Sequence, residues 1–98
     1  MICYIAGPMT GLEDHNRPAF AEAEKQLREK GHKVISPAWL KDDLPKRCYL
    51  PICTAMIDQA EALVLLPGWE DSEGANVELG YAQYCGKETM TLEKALKE

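Results

Sequence analysis

Five consecutive apolar residues, Ala62-Leu63-Val64-Leu65-Leu66, are followed at once by Pro67-Gly68 and then by a helical pattern. A run this short, bounded by turn residues, reads as a buried strand rather than as a helix. The helix behind it runs from about Glu73 to Cys85. Ser72 is suited to be its N-cap, and Glu73 falls in the first turn, where the helix dipole favours an anion. Strand, turn and capped helix make a βα unit. Ligands of α/β sheets bind at that junction, outside the carboxyl ends of the strands.

The same alternation organises the rest of the chain. Ile2 to Ala6 is a first strand, ended by Gly7-Pro8-Met9-Thr10-Gly11, whose glycines and proline force a loop. Backbone in such a loop approaches a ligand closely, and its N–H groups can meet a phosphate; a plain turn is the other reading. It matches neither the Walker loop nor the Gly-x-Gly-x-x-Gly fingerprint. Asn16 and Pro18 mark a helix start, Phe20, Ala23 and Leu27 give it an apolar stripe, and Gly31 suits its C′ position. Lys33 to Ser36 is a second strand. An irregular segment from Pro37 to about Lys46 holds Trp39, an aromatic that either stacks on a nucleobase or covers the edge of the core. Pro51 suits the first turn of a second helix, which ends in Asp58, Gln59 and Glu61. After Gly86, Lys87 to Leu92 reads as a fourth strand and Glu93 to Glu98 as a helical tail. The order βαβαβαβ predicts an α/β fold, a parallel sheet of about four strands flanked by helices through right-handed crossovers. It brings the Gly7 loop, the Pro37–Trp39 segment and Gly68–Glu78 to one rim.

On the third helix, Ala75, Glu78, Ala82 and Cys85 share a stripe of small side chains around one carboxylate. A Glu on a buried stripe needs a partner, because burying it alone costs several kcal/mol. Glu78 therefore either meets a polar group or ligand in that space or is a solvated surface residue. Acidic residues at the end of the second helix run against its dipole, which marks Asp58 and Glu61 as side chains kept for another purpose, Glu61 pointing toward the rim of the Gly7 loop. The net charge of −5 argues against a nucleic-acid polymer as partner, and a ligand with one phosphate remains compatible with it. Cys3, Cys48, Cys53 and Cys85 form no Cys-x-x-Cys pair and lack a nearby His, so neither a metal nor a disulfide is expected, and Cys3 and Cys85 read as core. No stretch approaches the roughly 20 apolar residues of a membrane span. The N-terminus has no signal-peptide pattern. Ninety-eight residues make one cytoplasmic domain on this reading, with no partner in the membrane.

The motifs Tyr4-Ile5-Ala6-Gly7-Pro8-Met9-Thr10-Gly11, Leu65-Leu66-Pro67-Gly68-Trp69-Glu70-Asp71-Ser72-Glu73-Gly74-Ala75 and then Glu78 resemble a group of small, often phage-encoded proteins. That group is similar to the nucleoside 2-deoxyribosyltransferases and the deoxynucleoside 5′-monophosphate N-glycosidases. The resemblance covers nearly the whole chain, residues 1–98 as a single such domain, and implies a Rossmann/flavodoxin-like three-layer sandwich. It implies an enzyme that cleaves or exchanges the N-glycosidic bond of a nucleoside or nucleotide, with no cofactor. The Gly-x-x-x-Glu-Leu-Gly-x-Ala segment of those relatives matches Gly74 to Ala82, which gives Glu78 the nucleophile's role. A carboxylate nucleophile splits displacement at an oxocarbenium-like centre into two easier steps.

By the same resemblance, an acidic residue at the start of the third strand assists departure of the base. It is usually Asp, here Glu61, with Asp58 a turn earlier as the alternative. Tyr4 looks like the residue that orients the nucleophile, core packing being its other reading. Gly7, Ser72 and Gly74 look like the phosphate or 5′-hydroxyl side, and Pro8, Met9, Trp39, Gly68 and Trp69 complete the candidate substrate-binding set. The transferase relatives close each pocket with a C-terminal residue from a neighbouring subunit, a piece this chain is expected to lack, which favours hydrolysis over base exchange. A homo-oligomer is expected from an exposed apolar helix face. The competing reading is a non-catalytic module that binds or sequesters a nucleotide.

Overall fold

The computed structural model describes residues 1–97. Four strands, β1 (Ile2–Ala6), β2 (Lys33–Ile35), β3 (Ala62–Leu65) and β4 (Glu88–Thr91), pair in parallel in the order β2-β1-β3-β4. Cys3 stands opposite Ala62 and Ala6 opposite Leu65 across the central pair, while Ile2 opposite Lys33 and Ala62 opposite Glu88 set the two edges. The helices are α1 (Arg17–Glu29), α2 (Lys46–Gln59), α3 (Glu73–Tyr84) and α4 (Leu92–Lys97).

Strand alternation divides the core between the two faces of the sheet. Cys3, Ile5, Ala62, Val64 and Leu66 point to one side, where they meet Phe20, Ala23 and Leu27 of α1 and Ala95 of α4. Tyr4, Ala6, Leu63 and Leu65 point to the other, against Cys53 and Ile57 of α2 and Ala75 and Ala82 of α3. The result is the expected three-layer α/β sandwich. Burying a side chain such as Leu27 or Ile57 contributes about 1.5–3 kcal/mol, so the small residues on α3 leave that side of the core the lighter one.

Glycines end α1 and α3 in the same way. Gly31 has φ +91°, its N–H bonds the Arg28 carbonyl at 2.9 Å, and the His32 N–H bonds that of Leu27 at 3.1 Å. Gly86 repeats the motif at φ +76°, with Gly86 to Gln83 at 3.1 Å and Lys87 to Ala82 at 2.9 Å. Only glycine takes this left-handed position without steric cost.

Three local readings are corrected. The second helix begins at Lys46, so Pro51 is its sixth residue rather than part of its first turn. Pro51 supplies no N–H to the Arg47 carbonyl, and both residues are exposed, where an unpaired carbonyl costs little. Cys85 is exposed rather than core, because α3 ends at Tyr84 and Cys85 serves as its C-cap, beyond the stripe. Asn16 precedes α1 in left-handed backbone and makes no side-chain cap. Strand and tail limits move by a residue, and the last residue of the expected tail, Glu98, lies outside the described residues. Among the described residues no helix is long and apolar enough to cross a membrane.

Candidate active site

The strand order reverses direction between β1 and β3, and the segments leaving their carboxyl ends part to opposite faces of the sheet. These two segments touch. A Cβ on Gly7 would stand 2.8 Å from the Cβ of Leu66, closer than real side chains approach, and one on Gly68 would stand 3.4 Å from the Pro8 ring. Gly68 also has φ +88°. Glycine at position 7 lets the two loops lie one on the other, and at position 68 it accommodates the left-handed φ.

The rim is tied further by its neighbours. Asn16 Nδ2 donates to the Pro8 carbonyl at 2.9 Å, from a left-handed turn in which Asp14, His15 and Asn16 have φ of 50°, 51° and 61°. Arg17 Nε donates to the Ala38 carbonyl at 2.8 Å and joins the segment after β2 to the start of α1. Ser72 caps α3, its Oγ accepting from the Ala75 N–H at 3.2 Å. Asn76 Nδ2 donates to the carbonyls of Trp69 at 3.2 Å, Glu70 at 3.1 Å and Ser72 at 2.8 Å, which holds the turn into α3.

Below this rim, in the layer between the sheet and the α2–α3 pair, lies the polar cluster. Tyr4, from the middle of β1, is fully buried, and its hydroxyl donates to Glu78 Oε2 at 3.0 Å. Glu78 is the sixth residue of α3 and is partly buried between Ala75 and Ala82. From α2, Cys53 packs in the same buried cluster as Tyr4. Burial raises the pKa of Glu78, and the bond from Tyr4 and the nearby Cys53 thiol act in the opposite direction. Burial is also the chief cause that pushes Cys53 up to about 11, and it lifts the Tyr4 hydroxyl well above its ordinary value, with the Glu78 charge adding to both. Tyr4 and Cys53 therefore keep their protons at neutral pH, beside a carboxyl group whose charged form burial disfavours.

The remaining candidates fall elsewhere. Glu61 precedes β3 at the amino edge of the sheet, where its Oε1 accepts from the Ile2 N–H at 2.9 Å, so it is not brought to the Gly7 rim. Asp58, near the end of α2, accepts from the Tyr81 hydroxyl at 2.6 Å, and its carbonyl accepts from Lys87 Nζ at 3.0 Å. That bond to Asp58 raises the pKa of Tyr81. Met9 packs against the α1–α4 side of the core, and Trp69 packs against the α2–α3 side. Trp39 is 67% exposed, so it does not cover the core edge. Gly74, in the first turn of α3, is exposed with open space beside it. Among the described residues no three His, Cys, Asp or Glu side chains come together to hold a metal ion.

Cys53 is the member of the cluster that sequence reasoning did not select. A single cysteine on an apolar helix face reads as core, and its partners come from segments far away in the chain. Its spacing to Ile57, one helical turn, was the available signal, since it shows that the thiol faces the sheet.

No curated protein matches the chain in a sequence search. Among solved structures, that of a 2-deoxyribosyltransferase from the psychrotolerant bacterium Bacillus psychrosaccharolyticus is similar, with a TM-score of 0.72 and 23% identity. The match covers 93% of this chain and 71% of that one, and it shows a shared Rossmann-like fold. Residues 1–91, from β1 through β4 and with them every side chain of the cluster, match one family, and the chain belongs to it: the domain of unknown function DUF4406.

Proposed function

We propose that this chain is an enzyme of the nucleoside deoxyribosyltransferase and N-glycosidase type. It cleaves, or exchanges, the N-glycosidic bond of a deoxynucleoside or its 5′-monophosphate, with Glu78 as nucleophile. The observation that carries this reading is the 3.0 Å bond from Tyr4 to Glu78, which holds a partly buried carboxyl group below the rim where two strand ends part. A partly desolvated carboxylate is a better nucleophile than a fully hydrated one.

In this mechanism a Glu78 oxygen attacks the anomeric carbon as the base leaves with the electrons of the C–N bond and takes up a proton from water. The product is a glycosyl ester on Glu78. Water then opens the ester in hydrolysis, or a second base does so in exchange. The α3 N-terminus, with Ser72 and Gly74, is suited to a 5′-phosphate or 5′-hydroxyl, and the glycine-bearing loop at Gly7 and Pro8 to the sugar. The base would then lie toward Trp69 and the exposed Trp39.

One observation favours the competing reading, a module that binds a nucleotide without cleaving it. The second acidic candidate, Glu61, is engaged at the opposite edge of the sheet, which leaves no carboxyl group from it to protonate a departing base. A single assay separates the two. The protein and Glu78→Ala are incubated with deoxynucleosides and their 5′-monophosphates, with and without a second free base, and products are followed by chromatography. Base release or exchange that disappears in the variant is the expected result. No reaction in either protein, with a nucleotide still raising the melting temperature, would leave the binding module.

A further inference from the structure

We infer that Arg17 is a positioning residue for Trp39: its guanidinium bonds the backbone on both sides of that residue and holds the indole at the carboxyl end of the sheet as a stacking face for a nucleobase. This rests on the reading of the rim as a nucleoside or nucleotide site, and it gives the base side of that site a fixed wall and the residue that sets it.

The geometry starts from the segment after β2. Ala38 is buried in the core on the α1 side of the sheet, and Leu40 packs against the core on the α2 side. The chain therefore crosses the end of the sheet at Trp39, between two anchored neighbours. Trp39 itself is 67% exposed, yet its backbone is pinned. Ser36 Oγ accepts from the Ala38 N–H at 3.2 Å, and the Leu40 N–H donates to the Pro37 carbonyl at 3.1 Å. Arg17 takes the carbonyls on either side of Trp39, that of Ala38 through Nε at 2.8 Å and that of Leu40 through Nη2 at the longer distance of 3.5 Å. The partly buried guanidinium is oriented in turn by Asp14, whose Oδ1 lies 3.2 Å from Nη1, and by Asp42, whose Oδ2 lies 3.6 Å from Nη2.

The turn before Arg17 serves the same end. Asp14, His15 and Asn16 all have left-handed backbone, which costs non-glycine residues energy and persists where the surroundings impose it. It puts consecutive side chains on two rim segments, Asn16 on the Pro8 carbonyl and Arg17 on the carbonyls around Trp39. His15 adds a contact to Asp42 at 3.2 Å. Arginine suits the task because its planar fork carries donors on several edges, so one side chain reaches two carbonyls and two carboxylates. An exposed indole on a held backbone suits stacking, since every base has a π-face and a wall already in place loses little freedom on binding.

The test is a binding cycle that requires no turnover. Deoxyadenosine, deoxycytidine and their 5′-monophosphates are titrated into Glu78→Gln protein by calorimetry, with 2-deoxyribose 5-phosphate as the probe that lacks a base. Arg17→Ala and Trp39→Ala are introduced singly and together. Trp39→Ala is expected to weaken the base-bearing probes roughly 5- to 100-fold, the range of one base–aromatic stack, and to leave the sugar phosphate unchanged. Arg17→Ala is expected to weaken the same probes severalfold with Trp39 present and hardly at all without it. That coupling separates positioning from a general loss of structure, which would weaken binding alike in both backgrounds. Should Arg17→Ala fail to fold, Arg17→Lys keeps the charge beside Asp14 and Asp42 and takes its place in the cycle. Equal losses with and without Trp39 overturn the role of Arg17. Probes that do not bind, or that bind as well after Trp39→Ala, overturn the stacking face, and base release by the native protein would then leave the enzyme reading standing. Coupling in a protein that releases no base supports Arg17 and counts against catalysis alone.

Discussion

Glu78 carries the strongest conflict between stability and chemistry in the chain. Its pKa in the folded protein stands above the unfolded value of about 4.3, so its stabilising contribution is complete below that pH and is lost as pH rises through the folded pKa. Glu78→Gln is therefore expected to melt a few degrees higher than the native protein at pH 7, the scale of about 1 kcal/mol in a chain of this size. The difference should shrink on acidification toward pH 5, and calorimetry over that range checks it. A Gln variant that melts lower at pH 7 would mean that the bond from Tyr4 outweighs desolvation. At this scale the sequence was partly legible. The small-residue stripe pointed to Glu78 because Ala75 and Ala82 leave room that a carboxylate must share with something polar. Cys53 was legible only as facing the sheet, through its spacing to Ile57, since its neighbours come from tertiary packing. Glu61 was placed on the wrong edge for a geometric reason: a residue that opens a parallel strand lies at the amino edge, opposite the rim where ligands bind.

Among the elements, the junction of the β1 and β3 loops is the part most sensitive to small additions. Gly7→Ala inserts a methyl group where the Leu66 Cβ stands 2.8 Å away, both atoms belonging to backbone-anchored positions that cannot swing aside. Overpacking of this kind costs typically 1–3 kcal/mol. Urea denaturation of Gly7→Ala should show that loss, and Leu66→Ala in the same chain should show partial non-additivity, because it removes the Leu66 Cδ1 and Cγ that stand 3.0 and 3.1 Å from the added methyl while keeping the Cβ. Additive losses would mean that the clash is relieved elsewhere. The element types and their order followed from the alternation of short apolar runs with helical stripes. Their limits did not, as α2 illustrates. Pro51 looked like a first-turn residue, yet Lys46 to Leu50 extend the helix before it, because an exposed proline costs one backbone bond while Cys53 and Ile57 anchor the turns that follow.

For the whole molecule, the outer faces of α2 and α3 are the least finished surface. Val77 is 45% exposed and Tyr84 91%, two turns apart on α3, and α2 adds Leu50 and an apolar groove of Pro51, Ile52, Ala55 and Met56 beside Ile35 of β2. The α2 groove is contiguous apolar surface, which marks contact sites more often than isolated exposed residues do. Sedimentation equilibrium is expected to give a multiple of 11.0 kDa, with Tyr84→Lys and Met56→Lys shifting it downward; a native protein that sediments as a monomer at all concentrations would refute self-association. The two sides of the sheet also answer to different selective rules. Toward α1 and α4 the strands present Cys3, Ile5, Val64 and Met90, where a substitution is judged chiefly by volume. Toward α2 and α3 the same strands present Tyr4 beside Leu63, where a substitution must also respect a charge. Descendants of this chain are thus free to repack one face while the other keeps its chemistry, and a four-stranded sheet becomes a partition between drift and constraint.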